Sequence, residues 1–469
     1  DVVKIPKLVE RYQGALKFQA SGTPYFLYER KNNKKTETNV LKTVSYLLED
    51  MKMLLPEDIS NIFKAYDPSA TNSRWALRWV ASHPNVKVIL SGMSSEEHVS
   101  DNLKTFSLDQ VELNEYPNII VVMNETFSDL SILTDFSVNE EYMPYFNSLT
   151  ENTVKGNLHV SVKGGNTANS EFEFLTGNSM AFLPTGSVPY EQFIKSPKPS
   201  IASYLKNAYG YTTYAVHPYE STAWNREKIY PLLGFKNLTF LDDFSEDTHK
   251  FRRFTSDAAT YDKIIELYEN REENERFFTF CVTLQNHGGF DMLFDNFKPT
   301  VQVEGLEDDV SISQYLSLIK ESDKAFKDFV EYFANVDEPT VILMFGDHQP
   351  TDEAIRGLLD KAALNVSDLK DFEKQYITKF AVWANYDIEE RELEYSSCNY
   401  LSSLLFETAG IPLSSYQNYL VELQNEFPVI TANCAIDKNG QYYSPATFLK
   451  KNEFIDYSKI QYYNLFDAE

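Results

Sequence analysis

The chain has 469 residues, 43% of them hydrophobic, with 33 Phe and 30 Tyr, enough for one large aromatic-rich domain and a smaller unit. Lys and Arg number 43 against 69 Asp and Glu, and a formal charge of −26 argues against nucleic acid and against general adhesion to an anionic membrane. Only Cys281, Cys398 and Cys434 are present, without CxxC spacing, which excludes a disulfide framework and a structural zinc site.

Asp1 opens the chain without Met or a leader, and no run approaches the roughly 18 apolar residues that cross a bilayer. The expectation is the soluble portion of a longer protein whose anchor precedes it. Residues 1–115 read as a small, mostly helical unit: a polar, basic turn at 31–35, then helical patterns at 38–54 and 74–82. Within it, residues 55–106 contain Ser73-Arg-Trp-Ala-Leu-Arg-Trp-Val-Ala-Ser-His-Pro-Asn-Val, Ile89-Leu-Ser-Gly-Met-Ser and Val99-Ser-Asp-Asn-Leu. This wording resembles the last βα portion of an aldo-keto reductase barrel, where the Ser-Gly-Met turn helps to hold a nicotinamide cofactor phosphate. One βα unit cannot close an eight-stranded barrel. The segment is therefore read as a fused piece rather than an oxidoreductase.

From residue 116 to 469 the pattern changes to that of one larger domain. Short apolar runs at 118–123, 158–162, 211–216, 277–284, 339–345 and 378–384 read as strands, and 199–208, 257–270, 311–334 and 396–409 as helices. In the third helix Tyr315, Leu318, Ile319, Ser322, Phe326, Phe329, Val330 and Phe333 recur at three- and four-residue steps, marking one core-facing stripe. The Pro-rich stretch 184–200 reads as a loop before a helix that begins near Ser200. Strands alternating with helices imply crossover units and a largely parallel sheet covered on both faces, an α/β fold.

Four segments place metal-ligating or nucleophilic residues at the ends of these runs. Glu125 follows Ile119–Met123, and Asp347-His348 follow Val341–Phe345 through Gly346. Because an open α/β sheet gathers its carboxyl strand ends along one edge, residues more than 200 positions apart can share a site. Two carboxylates and an imidazole form an O/O/N set suited to Mn²⁺ or Mg²⁺, with Zn²⁺ also possible. Thr167 sits in the turn Gly164-Gly-Asn-Thr-Ala-Asn-Ser ahead of a helix through Glu171–Leu175, whose N–H groups favour a phosphate. A Thr hydroxyl attacks phosphorus only when a base or metal activates it. Gln285-Asn286-His287 ends the run 277–284.

The ordered set Asn-Glu125-Thr-Phe, Gly-Asn-Thr167-Ala-Asn-Ser-Glu-Phe, His217 with Trp224-Asn-Arg226, Gln-Asn-His287 and Phe-Gly-Asp347-His348 resembles lipoteichoic acid synthases. These are phosphoglycerol transferases of the alkaline phosphatase and sulfatase superfamily, and the resemblance spans about 116–425. It implies a mixed sheet flanked by helices, with one Mn²⁺-type ion held by Glu125, Thr167, Asp347 and His348. It also implies Thr167 as nucleophile, and Trp224, Arg226, His287 and His217 around a phosphoglycerol head group, with Arg226 and His287 assisting catalysis. The expected partners are phosphatidylglycerol and a polyol or glycolipid acceptor, at the outer face of a bacterial membrane. A hydrolase or phosphoethanolamine transferase on the same fold is the alternative, and a non-catalytic binding module a weaker one. His83, His98, His159 and His249 fall outside the motifs and are read as structural. Two departures from the family, Asn124-Glu-Thr at the first motif and Gly288-Gly289 after His287, bear on acceptor or head-group specificity.

Overall fold

The computed structural model describes residues 116–467 together with a short antiparallel ladder, Gln19–Ala20 against Thr23–Pro24. The helices expected at 38–54 and 74–82, and the reductase-like stretch 55–106, lie outside the described residues.

Eight strands form the central sheet. In chain order they are β1 (Asn118–Asn124), β2 (Thr153–His159), β3 (Thr212–Val216), β4 (Asn237–Thr239), β5 (Phe277–Val282), β6 (Thr340–Gly346), β7 (Ile377–Ala384) and β8 (Arg391–Leu393). Their spatial order is β8-β2-β7-β6-β1-β5-β3-β4. The five strands from β6 to β4 run parallel, whereas β7 is antiparallel to both β6 and β2. The sheet is thus mixed, and its parallel part is the part built from crossovers.

The fully apolar strands follow from burial on both faces. Ile119, Val121 and Met123 of β1 enter one core and Ile120 and Val122 the other. The first core packs under the helices α1 (Thr167–Thr176), α2 (Ile201–Tyr209) and α5 (Leu401–Thr408) through Phe172, Leu175, Leu205, Leu401 and Leu405. The second packs under α3 (Asp257–Glu269) and α4 (Val310–Ala334). All eight residues of the stripe predicted for α4 are buried there, including Ser322. Asp309 caps that helix by accepting from the N–H groups of Ser311 and Ile312.

Local differences from expectation have local causes. The strand expected at 158–162 is Thr153–His159, because pairing with β7 runs from Thr153 to His159 and the chain then turns away into the glycine-rich loop. Ser200 caps α2 as expected, but the preceding loop contains a single helical turn, Pro189–Gln192, begun by a proline at its first position. The helix predicted for 396–409 is regular only from Leu401, after a 3₁₀ turn at Cys398–Tyr400. Beyond it, a helix at Ser415–Glu426, a three-stranded ladder (Val429–Ile430, Ala435–Ile436, Tyr442–Tyr443) and a helix at Asn452–Tyr462 add a third cluster.

Candidate metal centre

Register decides what meets at the sheet edge. Gly346 of β6 lies opposite Asn124 of β1, so Glu125 and Asp347 emerge side by side from adjacent parallel strands. Met123 pairs with Val282 and Val216 with Cys281, which brings the exits of β5 and β3, and with them His287 and His217, to the same edge. Gly346 is required by contact: a Cβ there would stand 1.9 Å from the Phe127 carbonyl oxygen.

Glu125, Asp347 and His348 each offer a ligand atom, and these atoms lie within 4.8 Å of one another. His348 Nε2 is 3.2 Å from Asp347 Oδ2 and 3.8 Å from Glu125 Oε1. The other side of each group is already committed. Asp347 Oδ1 accepts from the N–H groups of Thr126 (2.7 Å) and His348 (2.9 Å), and His348 Nδ1 faces the Gln349 carbonyl at 2.9 Å. A proton on Nδ1 satisfies that carbonyl and leaves Nε2 as a lone pair directed at two carboxylates. Asp347 Oδ2 and His348 Nε2 are buried without any hydrogen-bond partner. Buried lone pairs converging on one point fit a divalent cation, and the O/O/N donor set accommodates Mn²⁺, Mg²⁺ or Zn²⁺.

Burial and mutual charge interactions shift the ionisation of all three groups. Burial raises the Asp347 carboxyl to about 6, with Glu125 adding to the rise and His348 opposing it. Burial likewise raises Glu125. For His348 burial acts downward, but Asp347 and Glu125 outweigh it and the net shift is upward.

Thr167 is the first residue of α1, which begins four positions ahead of the helical stretch expected from Glu171. Asn166 before it takes a left-handed conformation (φ 63°), which turns the chain sharply into the helix. Thr167 Oγ1 donates to Glu125 Oε2 at 3.4 Å, so the hydroxyl stands beside the triad. One helical turn on, Ser170 Oγ donates to the Asp347 carbonyl at 2.7 Å and fastens α1 to the end of β6.

The cationic half of the site is arranged differently from the sequence expectation. Arg226 is 2% exposed; its Nε and Nη2 both donate to Glu171 Oε1, and its Nη1 donates to His217 Nε2 at 3.0 Å. Of its five N–H bonds, three are thereby used and two remain. With Nε2 accepting, His217 carries its proton on Nδ1 and donates it to the Val282 carbonyl at 2.9 Å. Both nitrogens of His217 are therefore committed within the protein, so it supports Arg226 and offers no free ring nitrogen to a head group. Burial, then the Arg226 charge, holds His217 well below the usual histidine range. Glu171 also accepts from Tyr230 Oη at 2.8 Å. It went unnoticed in the sequence although it stands four residues after Thr167, because a helical Glu has no distinguishing local pattern.

Trp224 is half-buried and both it (φ 54°) and Asn225 (φ 55°) are left-handed, the turn that presents Arg226 at the start of the helix Arg226–Leu232. His287 is exposed at the mouth, close enough to His348 and Asp347 to feel both charges. Of the eight non-glycine residues with positive φ among the described residues, Thr126, Asn166, Trp224 and Asn225 lie at or next to expected site residues. Such strain concentrates where geometry is over-determined by function.

The sequence profile of the sulfatase family matches residues 117–411. The chain belongs to the sulfatase family. Among relatives within reach of this sulfatase-family chain, a Rhizobium meliloti protein named for modification of cyclic β-1,2-glucan is 32% identical over 333 residues, 69% of this chain. The chain spans half of that relative's length. The Streptococcus pyogenes phosphoglycerol transferase GacH, solved with sn-glycerol-1-phosphate, superposes with a TM-score of 0.61 at 22% identity, covering 78% of this chain and 90% of that one. The lipoteichoic acid synthase LtaP of Listeria monocytogenes gives 0.54 at 17% identity, over 79% and 98%. These solved structures share the fold. On that fold the Glu125–Asp347–His348 triad is a candidate site for a divalent cation.

Proposed function

We propose that residues 116–469 are the catalytic domain of a phosphoglycerol transferase that moves glycerol phosphate from phosphatidylglycerol to a saccharide or polyol hydroxyl. The observation that carries this reading is the placement of Thr167 Oγ1 against Glu125 in the unsatisfied Glu125–Asp347–His348 cluster, at a helix N-terminus. The cation, Mn²⁺ or Mg²⁺ in preference to Zn²⁺, would be held by Glu125, Asp347, His348 and Thr167 and would polarise the phosphoryl group while lowering the Thr167 hydroxyl pKa.

The chain's own residues then account for the remaining steps. Thr167 Oγ1, its proton pointing to Glu125 Oε2, attacks phosphorus; the bond from phosphorus to the diacylglycerol oxygen breaks, and His287 at the mouth supplies a proton to that leaving oxygen. The product is a glycerophosphoryl ester on Thr167. An acceptor hydroxyl next attacks the same phosphorus, losing its proton to His287 as the Thr167 oxygen leaves and recovers its own. The free N–H bonds of Arg226 face a phosphate oxygen, and Trp224 walls the glycerol carbons. The glucan-modifying relative supports a saccharide acceptor, and the synthase-like fold supports a growing polyol polymer or glycolipid. A lipid donor places the work at the outer face of a bacterial membrane.

The test is mass spectrometry of Mn²⁺-loaded protein incubated with phosphatidylglycerol and no acceptor. A glycerophosphoryl adduct on the peptide containing Thr167, absent in Thr167→Ala, is expected. Full turnover by Thr167→Ala would overturn the covalent route. Rapid release of free glycerol phosphate with every acceptor offered would assign the site to a hydrolase instead.

A further inference from the structure

The loop that carries His287 is held by a residue from another part of the chain. Lys250–Phe251 and Phe254–Thr255 pair as a short antiparallel ladder, and the turn between them puts Arg252 in a left-handed conformation (φ 55°). Its side chain points inward and is 5% exposed. Nη2 donates to the carbonyls of Gln285 (2.8 Å) and His287 (2.7 Å), while Nη1 reaches those of Gly288 and Gly289, both at 3.4 Å. The guanidinium carbon lies 5.4 Å from the Phe254 ring centre and 5.1 Å from that of Phe290. No carboxylate pairs with it among the described residues.

A buried guanidinium ordinarily takes a carboxylate. Here it is directed to four carbonyls of residues 285–289, the segment whose only outward functional group is His287. Side-chain packing cannot do the same work, since a Cβ at Gly288 or Gly289 would meet nothing within 4 Å. The His287 ring rests 5.2 Å from Phe254, on the same ladder as Arg252. A planar fork with fixed donor directions suits this task, and a lysine ammonium does not.

We propose that Arg252 is the positioning residue for His287, fixing the backbone from which that imidazole reaches the phosphate. The inference rests on reading His287 as a group that meets substrate. It adds a residue that no sequence motif marked.

The test is a double-mutant cycle in Mn²⁺-loaded protein, with bis(p-nitrophenyl) phosphate as a lipid-free diester. Arg252→Lys is expected to lower kcat by about 10- to 100-fold, the usual cost of disturbing a group that orients an active-site residue. In a His287→Ala background the same substitution should change kcat by less than about twofold. Equal losses in both backgrounds would show that Arg252 acts on the fold at large and overturn the proposal. Arg252→Gln, which keeps two N–H donors without the charge, is the second variant should the first not fold. A readout free of turnover is ¹⁵N-histidine NMR: the His287 ring signals should shift and broaden in Arg252→Lys while those of His159 stay in place. Unchanged His287 signals would refute the positioning role. Wild-type protein that binds Mn²⁺ yet cleaves no diester would count against the proposed reaction, and the NMR comparison would still decide for or against Arg252.

Discussion

Among the described residues, two buried histidine–carboxylate clusters sit at this sheet, and one of them has the makings of a metal centre. His159, the last residue of β2, faces Glu373 across 3.0 Å from Nδ1 to Oε1, and the two groups satisfy each other. At the ends of β1 and β6, by contrast, His348 Nδ1 is taken by a backbone carbonyl and Asp347 Oδ1 by two N–H groups, so that Nε2 and Oδ2 are left to a shared point. Glu373 keeps one oxygen without a partner, but a single carboxylate and a closed imidazole do not assemble a coordination sphere. Burial of charge is common to both. What distinguishes them is backbone groups that fix each ligand from behind and leave the front open.

The sharpest way to break that comparison is to delete one carboxylate from each cluster. Asp347→Ala should lose the bound cation and reduce turnover on the order of 10³-fold or more. Glu373→Ala should keep full metal stoichiometry and cost about 1–3 kcal/mol of stability, the penalty for leaving His159 Nδ1 unpaired. Metal analysis with calorimetry separates the two, and a Glu373 variant that loses metal would dissolve the distinction.

A comparable effect, read as stability, is expected where a cluster is closed by an ion pair. Arg226→Ala leaves the Glu171 carboxylate buried and uncompensated, so unfolding free energy should fall by about 3–5 kcal/mol. Arg226→Lys should recover part of it, because the ammonium keeps the charge and loses the fork. Glycerol phosphate titration of the Lys variant then reports head-group binding without that confounding loss. Wild-type stability in Arg226→Ala, measured by denaturant unfolding, would mean that Glu171 is neutral or hydrated.

The last prediction concerns Glu173, two residues beyond Glu171 and fully buried. Its carboxyl is raised to about 7 by burial, although Met180 N–H, Ser161 and Ser179 donate to it. An acid whose folded pKa exceeds its unfolded value binds more protons in the folded state between those values. Stability should therefore decline as pH rises from about 4.5 to about 7, by on the order of 3 kcal/mol in total from this group. Glu173→Gln should flatten that part of the profile; an unchanged slope in thermal melts against pH would show that Glu173 is ionised throughout.

The two strands that carry the triad were legible because Ile119–Met123 and Val341–Phe345 are uninterrupted apolar runs ending in polar residues. The triad was legible for the same reason: Glu125 and Asp347-His348 stand at run ends. The state of Arg226 was not. Its motif marks the residue, but only the fold shows that Glu171 and His217, 55 and 9 positions away, occupy three of its N–H bonds. Arg252 was invisible because its acceptors are main-chain carbonyls, and carbonyls have no sequence. That the sheet is mixed came from the resemblance and not from periodicity, because a buried strand reads alike in either direction.

Thr126 and Asp347, bound through N–H and Oδ1, are 221 residues apart in the chain. The three groups of the triad therefore come together only when β1 and β6 lie side by side. A cation held by all three would stabilise the assembled sheet far more than the unfolded chain, as a latch on a structure already closed.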